Sequence, residues 1–209
     1  MKNYILMCDI IGSRNLDQVL TIENFKKCTS YINKKYSNSL LSPLTITLGD
    51  EFQGIVQNLN DTIEILIDLE EFIIENNFKF KLRYVVNYGE IQTEINNKIA
   101  YEMLGEGLTN ARIVINEMKN SSSRFNFIID NSEKAIIINN SFIIFQNIID
   151  SWKISKDYEL ISNLLKFKDY KIVAEKMNKE RSLIWKREKS LNLSSYNSSK
   201  IILRTITKN

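Results

Sequence analysis

The sequence predicts an α+β chain: a ferredoxin-like βαββαβ palm over residues 1–150, then a small all-α helix-turn-helix domain over residues 151–209. Three observations predict it. Short apolar runs at residues 4–11, 44–48, 52–56 and 78–91 have the length and alternation of strands. Two helix-period stretches lie between them, giving the order strand, helix, hairpin, helix, strand of a split βαβ unit. Beyond residue 156 the patterns are helical up to about residue 191, and the closing run 200–204 fits either a dimer helix or a strand packed on that module.

The elements follow in order. Residues 4–11 are apolar except for Asp9, so this run reads as a buried strand with a carboxylate near its end. Thr21 is placed to cap the first helix, whose apolar face is Phe25, Tyr31 and Ile32. Pro43 marks the entry to the hairpin, where Thr45 and Thr47 alternate with Leu44, Ile46 and Leu48. A helix opening at residues 60–62 carries the stripe Ile63, Leu66, Ile67, Phe72 and Ile73. The run 78–91 alternates through Phe80, Leu82, Tyr84 and Val86, and Gly89 interrupts it, as happens where a ligand or another backbone comes close. Residues 125–130 and 134–138 are expected to form a further hairpin, with the apolar stretch 142–149 closing the domain.

Composition narrows the chemistry. The 209 residues are 44% hydrophobic and 25% charged, with a net charge of +3, which is ordinary globular composition. The chain contains no histidine, which removes histidine triads, histidine general bases and histidine-ligated metals. Cys8 and Cys28 are too few for a disulfide framework and point to a reducing compartment. Residues 1–3 lead straight into a strand-like run, and no apolar stretch approaches the ~18 residues of a membrane span. The expected setting is therefore cytoplasmic, without a membrane partner.

The turn Gly49-Asp50-Glu51 between two strands is the centre of the functional reading. Adjacent carboxylates are costly to crowd unless positive charge faces them. In a split βαβ layout the end of the first strand and the hairpin tip lie side by side, so Asp9 and Asp50 converge. A divalent cation, Mg²⁺ or Mn²⁺, is the economical neutraliser, and a nucleotide phosphate is its commonest companion.

Three ordered blocks carry a resemblance. Asp9-Ile10-Ile11-Gly12-Ser13-Arg14, then Ile46 through Gly54, then Gly89-Glu90-Ile91-Gln92 onward resemble the SatD family and, more distantly, the palms of class III nucleotide cyclases and GGDEF diguanylate cyclases. By that resemblance Asp9 and Asp50 are metal carboxylates, Ile10 offers its carbonyl, and Glu51 meets nucleotide or metal. Gly12, Ser13, Arg14, Gly49 and Gly89 belong to the nucleotide site, and Arg112 offsets charge on the transferring phosphoryl group. The implied partner is a nucleoside triphosphate, the implied reaction a metal-dependent nucleotidyl transfer or cyclisation, and the implied assembly a homodimer. The chain departs from the cyclase pattern where Asn110 stands out of register with Arg112, and Asn87 replaces a glycine usual in the relatives.

The tail has its own pattern. Residues 166–189 carry a local excess of Lys and Arg over Asp and Glu. Ala174, Met177, the turn residue Asn178 and Ile184 have helix-turn-helix spacing. Arg181, Ser182, Trp185, Lys186 and Arg187 would then face double-stranded DNA, in a nucleotide-responsive regulator. The alternative is an active cyclase whose C-terminal helices serve dimerisation.

Overall fold

The computed structural model describes residues 1–208. Its centre is strand β1 (Lys2–Ile10), flanked by β3 (Glu51–Val56) and β4 (Leu82–Glu90). With β2 (Leu40–Ile46) outside β3 and β5 (Phe125–Ile128) outside β4, the sheet order is β2-β3-β1-β4-β5. All neighbours are antiparallel except β4 and β5, which are parallel. Pro43 sits inside β2 where its register with β3 shifts. An edge strand tolerates the missing N–H there.

Helices cover both faces, which explains why residues 5–10 of β1 are all buried. Leu6, Cys8 and Ile10 pack with α1 (Gln18–Lys35), α2 (Leu59–Glu75) and α4 (Ser132–Ser151). Ile5 and Met7 point the other way, with Ile55 and Val85, onto α3 (Glu106–Glu117) through Leu108, Ala111 and Ile115. By the same alternation Asp9 belongs to the α3 face.

Several elements differ from expectation. Residues 134–138 are helical: α4 starts at Ser132, with the Asn131 side chain accepting from the Lys134 N–H. Ile138, Phe142, Phe145 and Ile149 form one buried stripe at spacings of three and four, so the expected second hairpin strand and the run 142–149 are one helix. The first helix is capped by Asp17, which accepts from Leu20 N–H at 3.0 Å, and Thr21 lies within it. Phe78 and Phe80 are buried but precede the fourth strand.

The C-terminal helices are α5 (Ile154–Phe167), α6 (Tyr170–Lys176), α7 (Arg181–Ser190) and α8 (Leu193–Thr207). Their apolar residues continue the α1-side core. Tyr196 of α8 packs tilted against Phe145 and Trp152 and donates to Glu71, while Arg204 forks onto Glu64 of α2. The Trp152 indole donates to the Leu191 carbonyl at 2.9 Å. Among the described residues no helix is long and apolar enough to cross a membrane.

Candidate functional site

The sheet register builds the site. Asp9 stands opposite Glu51 on one side and Arg83 on the other. Directly opposed residues share a face, so Glu51, Asp9 and Arg83 form a row across three strands. Arg83 Nη1 donates to both Asp9 oxygens, at 3.0 and 2.8 Å. Lys119, just beyond α3, reaches over the row, 3.9 Å from Asp9 and 3.6 Å from Glu51. Arg112 of α3 pairs with the other Glu51 oxygen.

Two tight turns close the row at one end. Gly49 (φ 81) and Gly12 (φ 67) both occupy the left-handed region, where a side chain costs about 1–2 kcal/mol. The Asp50 carbonyl accepts from the Ile10 N–H at 2.9 Å, and its carboxylate accepts from the Ser13 hydroxyl at 2.6 Å. Between the turns lies a cleft of about 480 Å³, lined by Asp9, residues 10–15, Asp50, Arg83 and Lys119. Arg14 is exposed at its mouth and makes no ion pair with the described residues.

Burial pushes the Asp9 carboxyl up. Arg83 and Lys119 pull it down, and the neighbouring Glu51 and Asp50 push it up again. A carboxylate placed there depends on its cationic neighbours.

Asp9, Ile10, Gly12, Ser13, Arg14, Gly49, Asp50 and Glu51 therefore gather at one end of β1, with Arg112 at the Glu51 side. Gly89 does not join them. It pairs with Asn3 near the opposite end of β1, roughly 20 Å away at strand rise. Its role is close packing: a Cβ at Gly89 would lie 2.5 Å from the Gly107 Cα. Asn87 clamps the same helix by donating to the Gly107 carbonyl at 2.8 Å.

Among the described residues no group of three or more Asp, Glu, Cys or His is arranged to hold an ion. Both Asp9 oxygens already accept from a guanidinium, and Glu51 has two bases of its own. As arranged, the residues do not fit a resident Mg²⁺ or Mn²⁺ at Asp9, Ile10 and Asp50.

Sequence reasoning missed Arg83 and Lys119. Arg83 left no clear signal, because it continues the alternating charges Lys79 and Lys81 as one more polar position of the strand. Lys119 left none, because it arrives through the path of the chain after α3.

On α7, Arg181 pairs with Glu175 at 2.5 Å, while Ser182, Trp185 and Lys186 are exposed. Arg187 turns inward to pair with the buried Asp157, so it braces α5 and is not on the outer face. Ile184 is the buried anchor, and Asn178 takes φ 51 in the preceding turn.

The chain is of the mixed α+β class, with a charged cleft at one end of its sheet. Within that class the chain belongs to the SatD family, which it matches over residues 4–207. No curated protein matches it. Among solved structures, a bacterial light-regulated adenylyl cyclase overlaps 60% of this chain and 74% of its own, at 12% identity and TM-score 0.39. The monomeric guanylyl cyclase domain of the RhoGC fusion protein from the aquatic fungus Blastocladiella emersonii overlaps 60% and 80%, at 16% identity and TM-score 0.41. The guanylyl cyclase Cya2 overlaps 56% and 70%, at 12% identity and TM-score 0.39.

Proposed function

We propose that the chain is a nucleotide-binding palm protein that receives phosphate groups in the cleft between Gly12 and Asp50. The observation that carries this reading is the convergence of two glycine turns and the exposed bases Arg14 and Lys119 on one recess. Tight turns bring backbone close to a ligand, and the bases supply charge-assisted bonds to phosphate oxygens. The order β2-β3-β1-β4, antiparallel throughout, supports the ferredoxin-like palm reading. The pairing of Arg112 with Glu51 favours binding over turnover, since this arginine already has a carboxylate partner.

The test is thermal unfolding with each nucleoside triphosphate, for wild type, Asp50→Ala and Lys119→Glu. A ligand at ~100 times its dissociation constant adds about 2.7 kcal/mol to the native state. One nucleotide should stabilise wild type and do so less for both variants. No shift with any nucleotide removes the reading, and pyrophosphate release in the same mixture would establish turnover in its place.

We read residues 151–209 as a helix-turn-helix unit that couples this site to double-stranded DNA. What supports it is the solvent-facing set Arg181, Ser182, Trp185 and Lys186 on α7, after a left-handed Asn178. Lys186→Glu should weaken DNA retention at low salt; unchanged retention discards the DNA reading. A homodimer through α3 is favoured by Leu104 and Ile113, 70% and 50% exposed beside the cleft holding Arg112. A monomeric mass by light scattering would exclude it.

A further inference from the structure

We propose that Arg83 is an internal counter-cation that closes the Asp9–Glu51 pair to metal ions, so that the cleft takes phosphates without a divalent cation. This deepens the phosphate reading above and rests on it. The row Glu51–Asp9–Arg83 lies across adjacent strands, so the sheet itself holds the guanidinium against the carboxylate. Both side chains are nearly sealed, at 8% exposure for Arg83 and 6% for Asp9. Neither has a solvated rotamer to retreat to, as Lys119 does at 46%.

The arrangement costs the protein a hydrogen bond. Arg83 Nε is buried and has no partner among the described residues. An unpaired buried donor is unfavourable, and here it accompanies a charge that Asp9 requires. The carboxylates of Asp9 and Glu51 already face Arg83, Lys119 and Arg112, and that of Asp50 accepts from the Ser13 hydroxyl. A divalent ion entering this cluster would have to separate a buried ion pair, which leaves a charge uncompensated. An incoming polyphosphate leaves that buried pair intact, because the exposed Arg14 and the half-exposed Lys119 meet it at the mouth of the cleft.

The experiment uses Mn²⁺ alone and inorganic triphosphate as probes on the full chain. Free Mn²⁺ is followed by electron paramagnetic resonance for wild type, Asp9→Asn, Arg83→Met, Arg83→Lys and the double variant Asp9→Asn/Arg83→Met. Triphosphate binding is followed by calorimetry on wild type, in EDTA and then in Mg²⁺. Wild type should leave Mn²⁺ free at millimolar concentration. Arg83→Met should take it up, Arg83→Lys should not, and Asp9→Asn should abolish the uptake. Triphosphate should bind wild type equally in EDTA and in Mg²⁺. Wild-type Mn²⁺ uptake lost in Asp9→Asn overturns the proposal, as does a folded Arg83→Met that leaves Mn²⁺ free, or triphosphate binding that requires Mg²⁺. Should Arg83→Met not fold, the wild-type Mn²⁺ and EDTA measurements still decide. Absence of triphosphate binding in both buffers overturns the phosphate reading itself. That failure is distinguishable, because the Mn²⁺ measurements contain no phosphate.

Discussion

Arg124 shows how this chain manages charge at the scale of single residues. It is 4% exposed, and its guanidinium donates to the Leu82 carbonyl, to Asp150 at 2.8 Å and to Glu70 at 2.5 Å. Glu70 also accepts from the buried Tyr84 hydroxyl. Removing one partner of such a network strands the other, at a cost of about 3–5 kcal/mol. Arg124→Met should therefore lower stability by about that amount in urea unfolding, far more than Arg181→Met, whose pair with Glu175 is exposed. Equal effects would show that the buried network contributes nothing special. The same scale divides what could be read beforehand. Asp9 and Asp50 announce themselves as carboxylates at the edges of apolar runs. Arg83 and Lys119 do not, since their meaning comes from which carboxylate they face.

At the scale of elements, the decisive contact is α3 against β4. Gly107 and Gly89 let the helix backbone approach the sheet, and a Cβ on Gly107 would stand 2.6 Å from the Gly89 carbonyl carbon. Gly107→Ala should push α3 outward at a cost of about 1–3 kcal/mol and loosen Arg112 and Lys119 from Glu51. Urea unfolding measures the first effect and nucleotide binding the second; an unchanged midpoint would mean that the helix has slack. Element reading from sequence worked where one period ruled, as in α2, where Ile63, Leu66, Ile67 and Ile73 of the expected stripe are buried and Phe72 is partly so. It failed at residues 134–138, where Lys134 leads a run of Ala and Ile bounded by turn residues. Short apolar runs of this kind fit strand and helix alike, and here the Asn131 cap and packing onto β5 decide for helix.

For the whole molecule, one core runs from the α1 side of the sheet through α4 into α8. It seals several groups that ionise only at high pH. Burial pushes the Cys28 thiol up from 9.0 to about 12 and the Tyr158 hydroxyl up from 10.0 to about 12. Cys8, Tyr84 and Tyr196 are raised as well, again first by burial. In each case the unfolded chain loses its proton first as pH rises. The stabilising contribution is whole below pH 9 and falls between pH 9 and 12, by about 1.4 kcal/mol per pH unit for each group in its window. Melting temperatures should therefore drop steeply above pH 9, and the two thiols should react with a thiol reagent only as the chain unfolds. A flat profile from pH 8 to 11 would contradict this account of the core.

The mixed class of the fold, the first four strands, and the approach of Asp9, Asp50 and Glu51 beside two glycine turns are legible along the chain. These follow from local period and from turn chemistry, which neighbouring residues carry between them. Folding alone reveals that Arg83 lies on Asp9, that Lys119 reaches Glu51, that Gly89 packs a helix far from the cleft, and that Arg187 turns inward. Each of these depends on strand register or helix docking between residues distant in the chain. The charge state of a site is the sum of such meetings, and spacing along the sequence does not encode it.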